Sequence, residues 1–543
     1  MIEVFASRSG SPSVKIDGVA LHSPYDPSNE AKRFVTSSLG AETPSAVVVL
    51  GEGLGYISRW VRTSYPGARV LRLFYCEDLF RKSPFSPETN ADQDSWHPGS
   101  GISVVEFLRA RISELDAEGL RMIEWPPSAR LFPNPSREAN EAMQQVLREL
   151  NGNLVTTVSM GRLWLRNSLA NFLSFDEILQ GSPCSSERIV VIAASGPSLE
   201  SAAPLLEEMR DAIDLWALPS SARFLAEVGL NPDLFVMTDP GYWAICHLHY
   251  AVPACPVAMP LSAARGLWKL SLPRPFLLAQ PDSMEGAFLQ ALRPLSAPVI
   301  APHGTVAATA LELARAFTKG PIIIAGLDMC TNDVVSHARP NEFETFFHLQ
   351  SGRISPLEGL WHRRSVDQNA IRVKGSATAR APLSLRTYAG WLGHGRGEPG
   401  ATDKVYRLLP SAVALPEMIS LDVGAMRELV RSTRVAPGGP SLFPHSALPS
   451  RAARIFEAAQ ILGHWRECLE EGIAKAKGPD GLGVLASGAI FDLSFRLATR
   501  ELLETKRMAR LGNVRKARES AVGLLEDCGQ FLRALEERIL NAA

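Results

Sequence analysis

Apolar runs that end in small polar residues place the strongest constraint on the fold of this chain. Seven such runs recur between residues 189 and 325, with helical stretches between them. They lie at 189–194, 213–218, 234–237, 257–259, 276–279, 299–301 and 321–325. Strands of a parallel sheet are apolar throughout, because helices cover both faces of the sheet. The alternation therefore predicts an α/β fold with a mostly parallel sheet.

The residues that follow these runs are small and polar, in contrast to the runs themselves. In open α/β sheets, ligands bind beyond the carboxyl ends of the strands. The sequence therefore predicts a ligand site built from these segments. They read SGPS at 195–198, ALPSS at 217–221, TDP at 238–240, HGT at 303–305 and GLD at 326–328.

The first of these segments, SGPS, is typical of an anion or nucleotide cradle. Gly196 permits a close approach and Pro197 fixes φ, while Ser195 and Ser198 place hydroxyls beside the unpaired N–H groups of a helix N-terminus. We expect a side chain at Gly196 to fill ligand space and leave the strand packed. The Lys and Ser or Thr of a phosphate loop do not follow, which disfavours ATP hydrolysis.

The N-terminal part carries a second strand-and-turn pattern. The run AVVVL at 46–50 leads into the turn GEGLGY, and the next apolar run, 70–76, ends at Glu77. This layout is that of a Rossmann-like nucleotide crevice. Two interpretations stay open: Gly51, Gly53, Gly55 and Glu77 bind a ligand, or the glycines only let a helix pack on a strand.

Three domains are predicted, because 543 residues exceed what one hydrophobic core usually holds. Their bounds are 1–150, 151–442 and 443–543. The last is expected to be helical, since apolar residues recur at three- and four-residue steps. One such face comprises Ala521, Leu524, Leu525, Cys528, Leu532, Leu535 and Ile539, and an earlier one comprises Ala452, Ile455, Phe456, Ala459, Leu462 and Leu469.

Charge and cysteine usage exclude several classes of protein. The formal net charge is −1, so no global field favours nucleic acid or an anionic membrane. The seven cysteines are scattered and form neither a disulfide framework nor a zinc-binding pattern. No apolar stretch reaches the length of a membrane helix. We expect a soluble, cytoplasmic protein.

Four motifs identify a resemblance to a known family. AASGPSLE, GLNPDLFVMTDP, HGTVAATALELA and PIIIAGLDMC occur in this order, and together they resemble the motility accessory factor (Maf) family of flagellin glycosyltransferases. The core of that family is shared with an archaeal hydroxymethylpterin pyrophosphokinase and is related to bacterial sialyltransferases. The resemblance implies a Rossmann-like N-terminal domain, a central, mostly parallel sialyltransferase-like α/β domain and a C-terminal helical domain.

The resemblance also implies an activity: transfer of a nonulosonic (sialic-like, pseudaminic or legionaminic) acid from a CMP-activated donor to Ser or Thr hydroxyls of flagellin. The nucleotide-sugar would be the donor and flagellin the protein partner. Asp328, Asp239 and His337 are the catalytic candidates. The candidates for binding the nucleotide-sugar are Ser195, Gly196, Pro197, Ser198, Thr238, Gly304, Thr305 and Gly326.

One departure from the sialyltransferase pattern concerns the leaving group. Those enzymes stabilise the departing phosphate with tyrosines of the loop after the Gly-x-Asp motif, but here that loop reads MCTNDVVSHARP. His337 is therefore interpreted as a neutral general base, as a protonated phosphate donor or as a solvated loop residue. Its rivals as the base are His303, His348 and His362, and the candidate phosphate clamps are Arg363, Arg364 and Lys374.

Other interpretations stay open. A pterin pyrophosphokinase would use ATP and a cation held by Asp239, Asp328 and Asp333; a methyltransferase would bind S-adenosylmethionine at the glycine turn; a non-catalytic flagellin-binding protein would keep only the fold. A divalent cation is compatible with the residues. His247 and His249 lack a third metal ligand at a recognisable spacing, and RTYAGWLGHGRGEPG is expected to pack a helix.

Overall fold

The computed structural model describes most of the chain. The described residues are 1–40, 43–84, 93–116, 119–180, 187–251, 254–267, 275–280, 283–292, 295, 297–301, 304–365, 370–392, 405–413, 415, 418–433, 445–478, 481–486 and 488–541. They divide into two units. Unit 1 comprises Met1–Ser159 and Trp465–Phe531, and unit 2 comprises Met160–His464 and Leu532–Ala543.

The described residues among the first 174 form seven strands and six helices. They are β1 (Ile2–Ala6), β2 (Pro12–Ile16), β3 (Val19–Ala20), α1 (Pro27–Leu39), β4 (Ala46–Leu50), α2 (Tyr56–Ser64), β5 (Arg69–Leu73), α3 (Glu77–Lys82), β6 (Ser95–Trp96), α4 (Val104–Arg109), β7 (Leu120–Glu124), α5 (Pro126–Leu131) and α6 (Pro133–Ser174). Strands β1, β2 and β3 form an antiparallel sheet. Strands β6, β5, β4 and β7 form a parallel sheet in that order, which confirms the Rossmann-like prediction.

The middle of the chain alternates strands and helices. These are β8 (Glu177–Leu179), β9 (Ile189–Ala193), α7 (Ser198–Glu208), β10 (Ile213–Ala217), α8 (Ala222–Glu227), β11 (Leu234–Val236), α9 (Tyr242–His249), β12 (Val257–Pro260), β13 (Pro275–Leu278), α10 (Glu285–Ala291), α11 (Val306–Phe317), β14 (Ile322–Ala325), β15 (Thr331–Asn332), α12 (Glu342–Gln350), α13 (Leu357–Ser365), β16 (Ile371–Arg372), β17 (Ala379–Ala381), α14 (Leu383–Leu392), β18 (Val405–Leu408), β19 (Ile419–Leu421), α15 (Val423–Ser432) and β20 (His445–Ala447).

Ten of these strands form one sheet in the order β19-β18-β14-β9-β10-β11-β12-β13-β8-β20. Its strand pairs are parallel except β20 with β8. From β9 the chain proceeds to β10 through β13 on one side, and later to β14, β18 and β19 on the other. The strand order therefore reverses between β9 and β14, which is where ligands of open α/β sheets bind. The predicted mostly parallel α/β fold is confirmed.

Both faces of this sheet are buried. Ile189, Val191 and Ala193 of β9 belong to one apolar cluster with residues of α7. The alternate residues Val190 and Ile192 belong to a second cluster with residues of α11. Because successive side chains of a strand point to opposite faces, helices cover the sheet on both sides.

The run at 299–301 was expected to be a strand, but it makes only one isolated bridge, between Ala279 and Val299. Pro298 and Pro302 flank this run. Proline has no N–H to donate to a strand ladder, so the pairing does not extend.

The C-terminal part is helical, as predicted, with α16 (Arg451–Lys477), α17 (Ala489–Leu497), α18 (Thr499–Arg510) and α19 (Val514–Leu540). The predicted apolar face of α19 is buried. In α16, however, Phe456 is 62% exposed, while Arg454 is buried and donates to Asp176 and to the Leu173 carbonyl. The described helices also include none that is long and apolar enough to cross a membrane.

The two compact units differ from the three predicted domains. The first predicted boundary, at 150, lies close to Ser159, where the first segment of unit 1 ends. The predicted helical domain, 443–543, is instead divided between the units at His464 and at Phe531. Both divisions fall inside long helices, so no change of composition marks them in the sequence.

Candidate functional site

Two loops meet where the strand order reverses. Segment 194–198 follows β9 and segment 326–328 follows β14, and β9 and β14 are neighbours in register from Val190 to Ala193. The Gly196 N–H donates to the Gly326 carbonyl oxygen at 2.8 Å, and the Ala194 N–H donates to the Ala325 carbonyl oxygen at 2.8 Å. The backbone of each loop therefore fixes the position of the other.

The Asp328 carboxylate lies at the N-terminus of α7. Its Oδ2 atom accepts a hydrogen bond from the Ser198 N–H at 2.8 Å, and the residue is only 6% exposed. A carboxylate is favourable here because the N–H groups of a helix N-terminus carry partial positive charge. One of the N–H groups expected to be unpaired at this helix N-terminus is thus already paired within the protein. The buried Ser198 Oγ, by contrast, has no hydrogen-bond partner among the described residues.

Gly196 is required by this packing. A Cβ at this position would lie 2.5 Å from the Gly326 carbonyl oxygen and closer still to Asp328 Oδ2. The expectation that a side chain at Gly196 leaves the strand packed is therefore wrong, because the space is filled by the neighbouring loop. Gly326 is constrained as well, since it has φ +71° and its Cβ would lie 2.7 Å from the Ala194 carbonyl oxygen.

Arg407 supplies the positive charge beside Asp328, and the sequence analysis did not find it. It lies on β18, opposite Ile324 of β14, and is 4% exposed. Its guanidinium donates to the hydroxyls of Ser411 and Ser420 at 3.3 and 3.2 Å. Burial lowers the pKa of Arg407, and the negative charge of Asp328 counteracts this. No local motif marks Arg407, because 79 positions of sequence separate it from Asp328.

His337 lies next to the β9 loop. The N–H of the following residue, Ala338, donates to the Ser195 carbonyl oxygen at 2.8 Å. The Nδ1 atom of His337 is 2.8 Å from Ser336 Oγ, and the ring centroid of His337 is 5.0 Å from that of Phe343. Burial lowers the pKa of His337 to about 3, with smaller contributions from the charges of His247 and Arg364. The imidazole is therefore neutral, which fits a general base and not a protonated phosphate donor.

Aromatic side chains lie close to His337. The rings of Trp243 and Phe343 have centroids 4.5 Å apart, and His247 lies 6.3 Å from His337 with nearly parallel rings. The Arg364 guanidinium lies 3.6 Å from the centroid of Phe343. His247 is buried, which lowers its pKa to about 4, whereas His249 is exposed. Both histidines lie on α9, one buried and one exposed.

The segment after β11 holds an exposed carboxylate. Asp239 accepts a hydrogen bond from the Gly241 N–H at 2.6 Å, and Thr238 is half-buried beside it. The charge of Asp239 acts on Tyr388 of α14, whose pKa is raised first by burial and then by this carboxylate. Tyr388 belongs to the stretch that was expected only to pack a helix. A phenol with a raised pKa keeps its proton and can donate to an oxygen.

Two buried asparagines of α6 hold the loops that follow β11 and β12. Asn167 donates to the carbonyl oxygens of Pro240 and Ser262, at 3.0 and 3.2 Å. Asn171 donates to those of Leu261 and Ala263, at 2.8 and 2.9 Å. One helix face therefore positions both segments at the edge of the site.

Buried Glu285, the first residue of α10, extends this network. It accepts hydrogen bonds from the Ser262 N–H at 2.8 Å and from the Gln280 N–H at 3.3 Å. Burial raises the pKa of Glu285 to about 7, and the hydrogen bonds it accepts limit the rise.

The remaining described sequence candidates cap helices or are exposed. Thr305 caps α11 by accepting a hydrogen bond from the Ala308 N–H at 3.1 Å, and Gly304 before it is exposed. Pro197 is the N-cap residue of α7. His303 lies outside the described residues. The other histidine and cationic rivals, His348, His362, Arg363 and Lys374, are exposed.

The carboxylates do not form the cluster that a cation site requires. Asp328 is buried against α7, while Asp239 and Asp333 are exposed. Among the described residues, no group of three or more His, Cys, Asp or Glu side chains is arranged to hold a metal ion. The geometry thus gives no support to the predicted triad of Asp239, Asp328 and Asp333.

Neighbouring side chains occupy the space beside the glycine turn GEGLGY of unit 1. A Cβ at Gly53 would overlap the ring of His22, whose Nε2 accepts a hydrogen bond from the Leu54 N–H at 2.9 Å. A Cβ at Gly51 would lie 2.7 Å from Ser128 Cβ. Glu77 forms an ion pair with Arg81 within α3. These contacts favour the packing interpretation of the turn over a ligand site.

Comparison with known proteins agrees with the fold. Residues 164–334 match the family model described as 6-hydroxymethylpterin diphosphokinase MptE-like. The Maf glycosyltransferase from Magnetospirillum magneticum AMB-1 has a similar structure, with a TM-score of 0.60 and 12% sequence identity over 99% of this chain and 92% of that chain.

Uncharacterized proteins of Treponema pallidum (strain Nichols) are also similar in sequence. One is 26% identical over 326 residues, which is 58% of this chain and 69% of the relative. Another is 25% identical over 128 residues, 23% of this chain and 61% of the relative. A third is 30% identical over 141 residues, 24% of this chain and 36% of the relative. The resemblance drawn from the motifs is confirmed: residues 164–334 form an MptE-like domain in a chain that has the fold of the Maf glycosyltransferase.

Proposed function

We propose that unit 2 is a glycosyltransferase that moves a nonulosonic acid from a CMP-activated donor to Ser or Thr hydroxyls of flagellin in the cytoplasm. The observation that carries the proposal is the neutral imidazole of His337, held against the β9 loop at the point where the strand order reverses. A neutral base beside a nucleotide-type crevice is what transfer to a hydroxyl requires. Similarity to the Maf glycosyltransferase supports the choice of reaction.

The transfer step follows from this placement. The acceptor oxygen bonds to the anomeric carbon of the sugar as the bond from that carbon to the phosphate oxygen breaks. The acceptor proton passes to His337, and CMP departs with the electron pair of the broken bond. In the tautomer whose Nδ1–H donates to Ser336 Oγ, Nε2 carries the lone pair and is the nitrogen that takes the proton.

A bound donor makes His337 a stronger base. With a pKa of about 3 the imidazole is neutral but weakly basic, and part of this depression comes from the charge of Arg364. Burial remains the main cause of the depression, but the negative phosphate of a donor beside Arg364 offsets that charge and raises the pKa of His337. The base therefore strengthens when the substrate is in place.

Two groups are assigned to the departing phosphate in this proposal. Arg364 is cationic and lies over the ring of Phe343. Tyr388 keeps its phenolic proton because of burial and the nearby charge of Asp239. Tyr388 would then take the place of the tyrosines that the loop after Asp328 lacks. Ser198 Oγ is available as a donor to the nucleotide.

Calorimetry with CMP, with ATP and magnesium, and with S-adenosylmethionine tests the proposal. We expect CMP to bind and the other two ligands not to bind. Binding of ATP with a hydroxymethylpterin, in the absence of CMP binding, would replace the proposal with a pyrophosphokinase, which the MptE-like match favours. Binding of none of the three would leave the non-catalytic interpretation.

A further inference from the structure

A short segment of unit 2 concentrates positive charge. Residues 353–380 contain six Arg and Lys residues against two Asp and Glu residues, in a chain whose net charge is −1. The six cations are exposed. Arg363 and Arg364 lie on α13, and Arg372 and Arg380 lie on the small antiparallel sheet β15-β17-β16. Arg353 precedes α13, and Lys374 follows β16.

The small sheet opposes two like charges. Arg372 of β16 and Arg380 of β17 are directly paired across the strands, so their side chains project from the same face. Ala379 and Ala381 are buried with Cys330 on the other face, which places Arg380 on the outer one. Like charges directly opposite one another destabilise a strand pair. This face therefore costs stability in the isolated chain.

Nothing within the described structure compensates this charge. Arg372, Lys374 and Arg380 form no ion pair with a described residue. Lysine and arginine on an edge strand commonly prevent unwanted strand pairing. That explanation can apply to Arg372 on the edge strand β16, but not to Arg380, because β17 is the central strand.

Two further cations lie close to this sheet. The Asp333 N–H donates to the Thr378 carbonyl oxygen at 3.3 Å, and Ser365 Oγ donates to the Val334 carbonyl oxygen at 2.8 Å. The turn after Lys374 and the end of α13, which carries Arg363 and Arg364, therefore meet at residues 333–334. We call Arg372, Lys374 and Arg380 the basic face, and Arg363 and Arg364 lie beside it at the end of α13. Asp333 is the acidic residue at this junction.

We propose that the basic face binds an acidic segment of a protein partner. Charge complementarity selects an anionic partner. A protein is favoured over single-stranded nucleic acid because residues 370–380 contain no aromatic side chain on which a base could stack. Ile371 is 51% exposed beside Arg372 and offers an apolar contact. If the proposed transferase activity holds, the partner is the acceptor protein, and the basic face brings its hydroxyl towards His337.

Binding of a labelled poly-L-glutamate peptide tests the proposal without relying on any transfer activity. We expect Arg372→Glu with Arg380→Glu to weaken binding at least tenfold, and added salt to weaken the binding of the parental chain. Arg500→Glu with Lys516→Glu is the matched control, because both residues are exposed cations of unit 1 with no ion pair to a described residue. Equal loss in both double variants would overturn the proposal.

The single variant Arg372→Glu separates binding from folding. It places a carboxylate opposite Arg380, so the strand pair becomes attractive and the thermal unfolding temperature should rise or stay unchanged. Binding of poly-L-glutamate should nevertheless fall. Unchanged binding by this stable variant would overturn the proposal, as would tighter parental binding of an oligothymidylate of equal charge. Each result stands whether or not CMP binds.

Discussion

The place of His337 in the chain follows from the sequence, but its protonation state does not. The sequence places it in the loop after Asp328, and in the structure the N–H of the next residue, Ala338, donates to the Ser195 carbonyl oxygen. Its neutral state depends on burial against Phe343 and on the charges of His247 and Arg364, which come from other helices. A protonation state set by distant segments leaves no mark in the local sequence, so the sequence alone left the roles of base and phosphate donor open.

We expect His337→Ala to lose most of the sugar transfer and to keep CMP binding. Because burial lowers the pKa of His337 to about 3 in the free chain, kcat/KM for transfer should be independent of this group between about pH 5 and 8, whereas kcat should begin to fall at a higher pH, because the bound donor raises this pKa. His249→Ala is the control, since His249 is exposed on the same helix as His247. Full transfer by His337→Ala would assign the base elsewhere.

Glu285 should make stability depend on pH in an unusual direction. Its pKa rises on folding from an ordinary value of 4.5 to about 7, so between these values the folded chain binds more protons than the unfolded chain. Its contribution to stability is therefore present below about pH 4.5 and is lost as pH rises to about 7, on the order of 3 kcal/mol in all.

Urea unfolding of the parental chain and of Glu285→Gln across this range measures the effect. The glutamine has no ionisable group, so whatever its offset in stability, the difference between the two unfolding free energies should shift steadily with pH. Parallel curves for the two proteins would show that Glu285 ionises normally in the folded chain.

Gly196→Ala should destabilise the chain, in contrast to what the sequence suggests. The added methyl would meet the Gly326 carbonyl oxygen and the Asp328 carboxylate, and overpacking of this kind costs about 1–3 kcal/mol. Gly286→Ala is the control, because that helical glycine has open space around its Cβ position and alanine favours helix. Thermal unfolding distinguishes the two. A Gly196→Ala chain as stable as the parent would mean that the two loops separate readily.

Among the elements, strands were predicted best where an apolar run lies between helices. The runs that became β9, β10 and β14 needed only local hydrophobicity. Short strands such as β20 carried no comparable signal, because their partners, and not their own residues, place them at the edge of the sheet. The hydrogen bonds from α6 to the loops after β11 and β12, here called the α6 clamp, could not be predicted for a similar reason. Asn171 and its acceptor Leu261 lie 90 positions apart in the sequence.

Asn171→Ala should loosen the loop after β12. The change removes the donor to the carbonyl oxygens of Leu261 and Ala263, and a buried acceptor left unpaired costs about 1–3 kcal/mol. Hydrogen exchange should accelerate in residues 261–264. Ser174→Ala on the same helix is the control, since its hydroxyl bonds only to the Ala170 carbonyl. Equal exchange in both variants would rule out the α6 clamp.

At the scale of the whole molecule, the difference from prediction lies in how segments combine. Unit 1 joins Met1–Ser159 to Trp465–Phe531. Within it, burial lowers the pKa of Lys506, and the carboxylate of Asp116 opposes this shift, so helix α18 lies near the turn before β7. The sequence marked both segments correctly as α/β and helical, but composition cannot show that they belong to one unit.

A chain that ends at residue 450 should therefore lose protection in unit 1. Without Trp465–Phe531, we expect faster hydrogen exchange in β4 than in the full chain, because part of the compact unit to which β4 belongs is missing. A chain that ends at residue 531 is the control, since residues 532–543 belong to unit 2. Unchanged protection of β4 in the shorter chain would show that Met1–Ser159 is self-sufficient.

Unit 1 comprises two segments that are far apart in the chain, so its two parts are synthesised at different times. A ribosome delivers Met1–Ser159 first and Trp465–Phe531 only after the intervening segment 160–464. At roughly 5–20 residues per second, this interval lasts roughly 15–60 s. Throughout it, nascent unit 1 lacks one of its two segments, while the large sheet of unit 2 is already emerging. Chaperone binding during translation should therefore concentrate on the first 159 residues and cease once the last helices have left the ribosome.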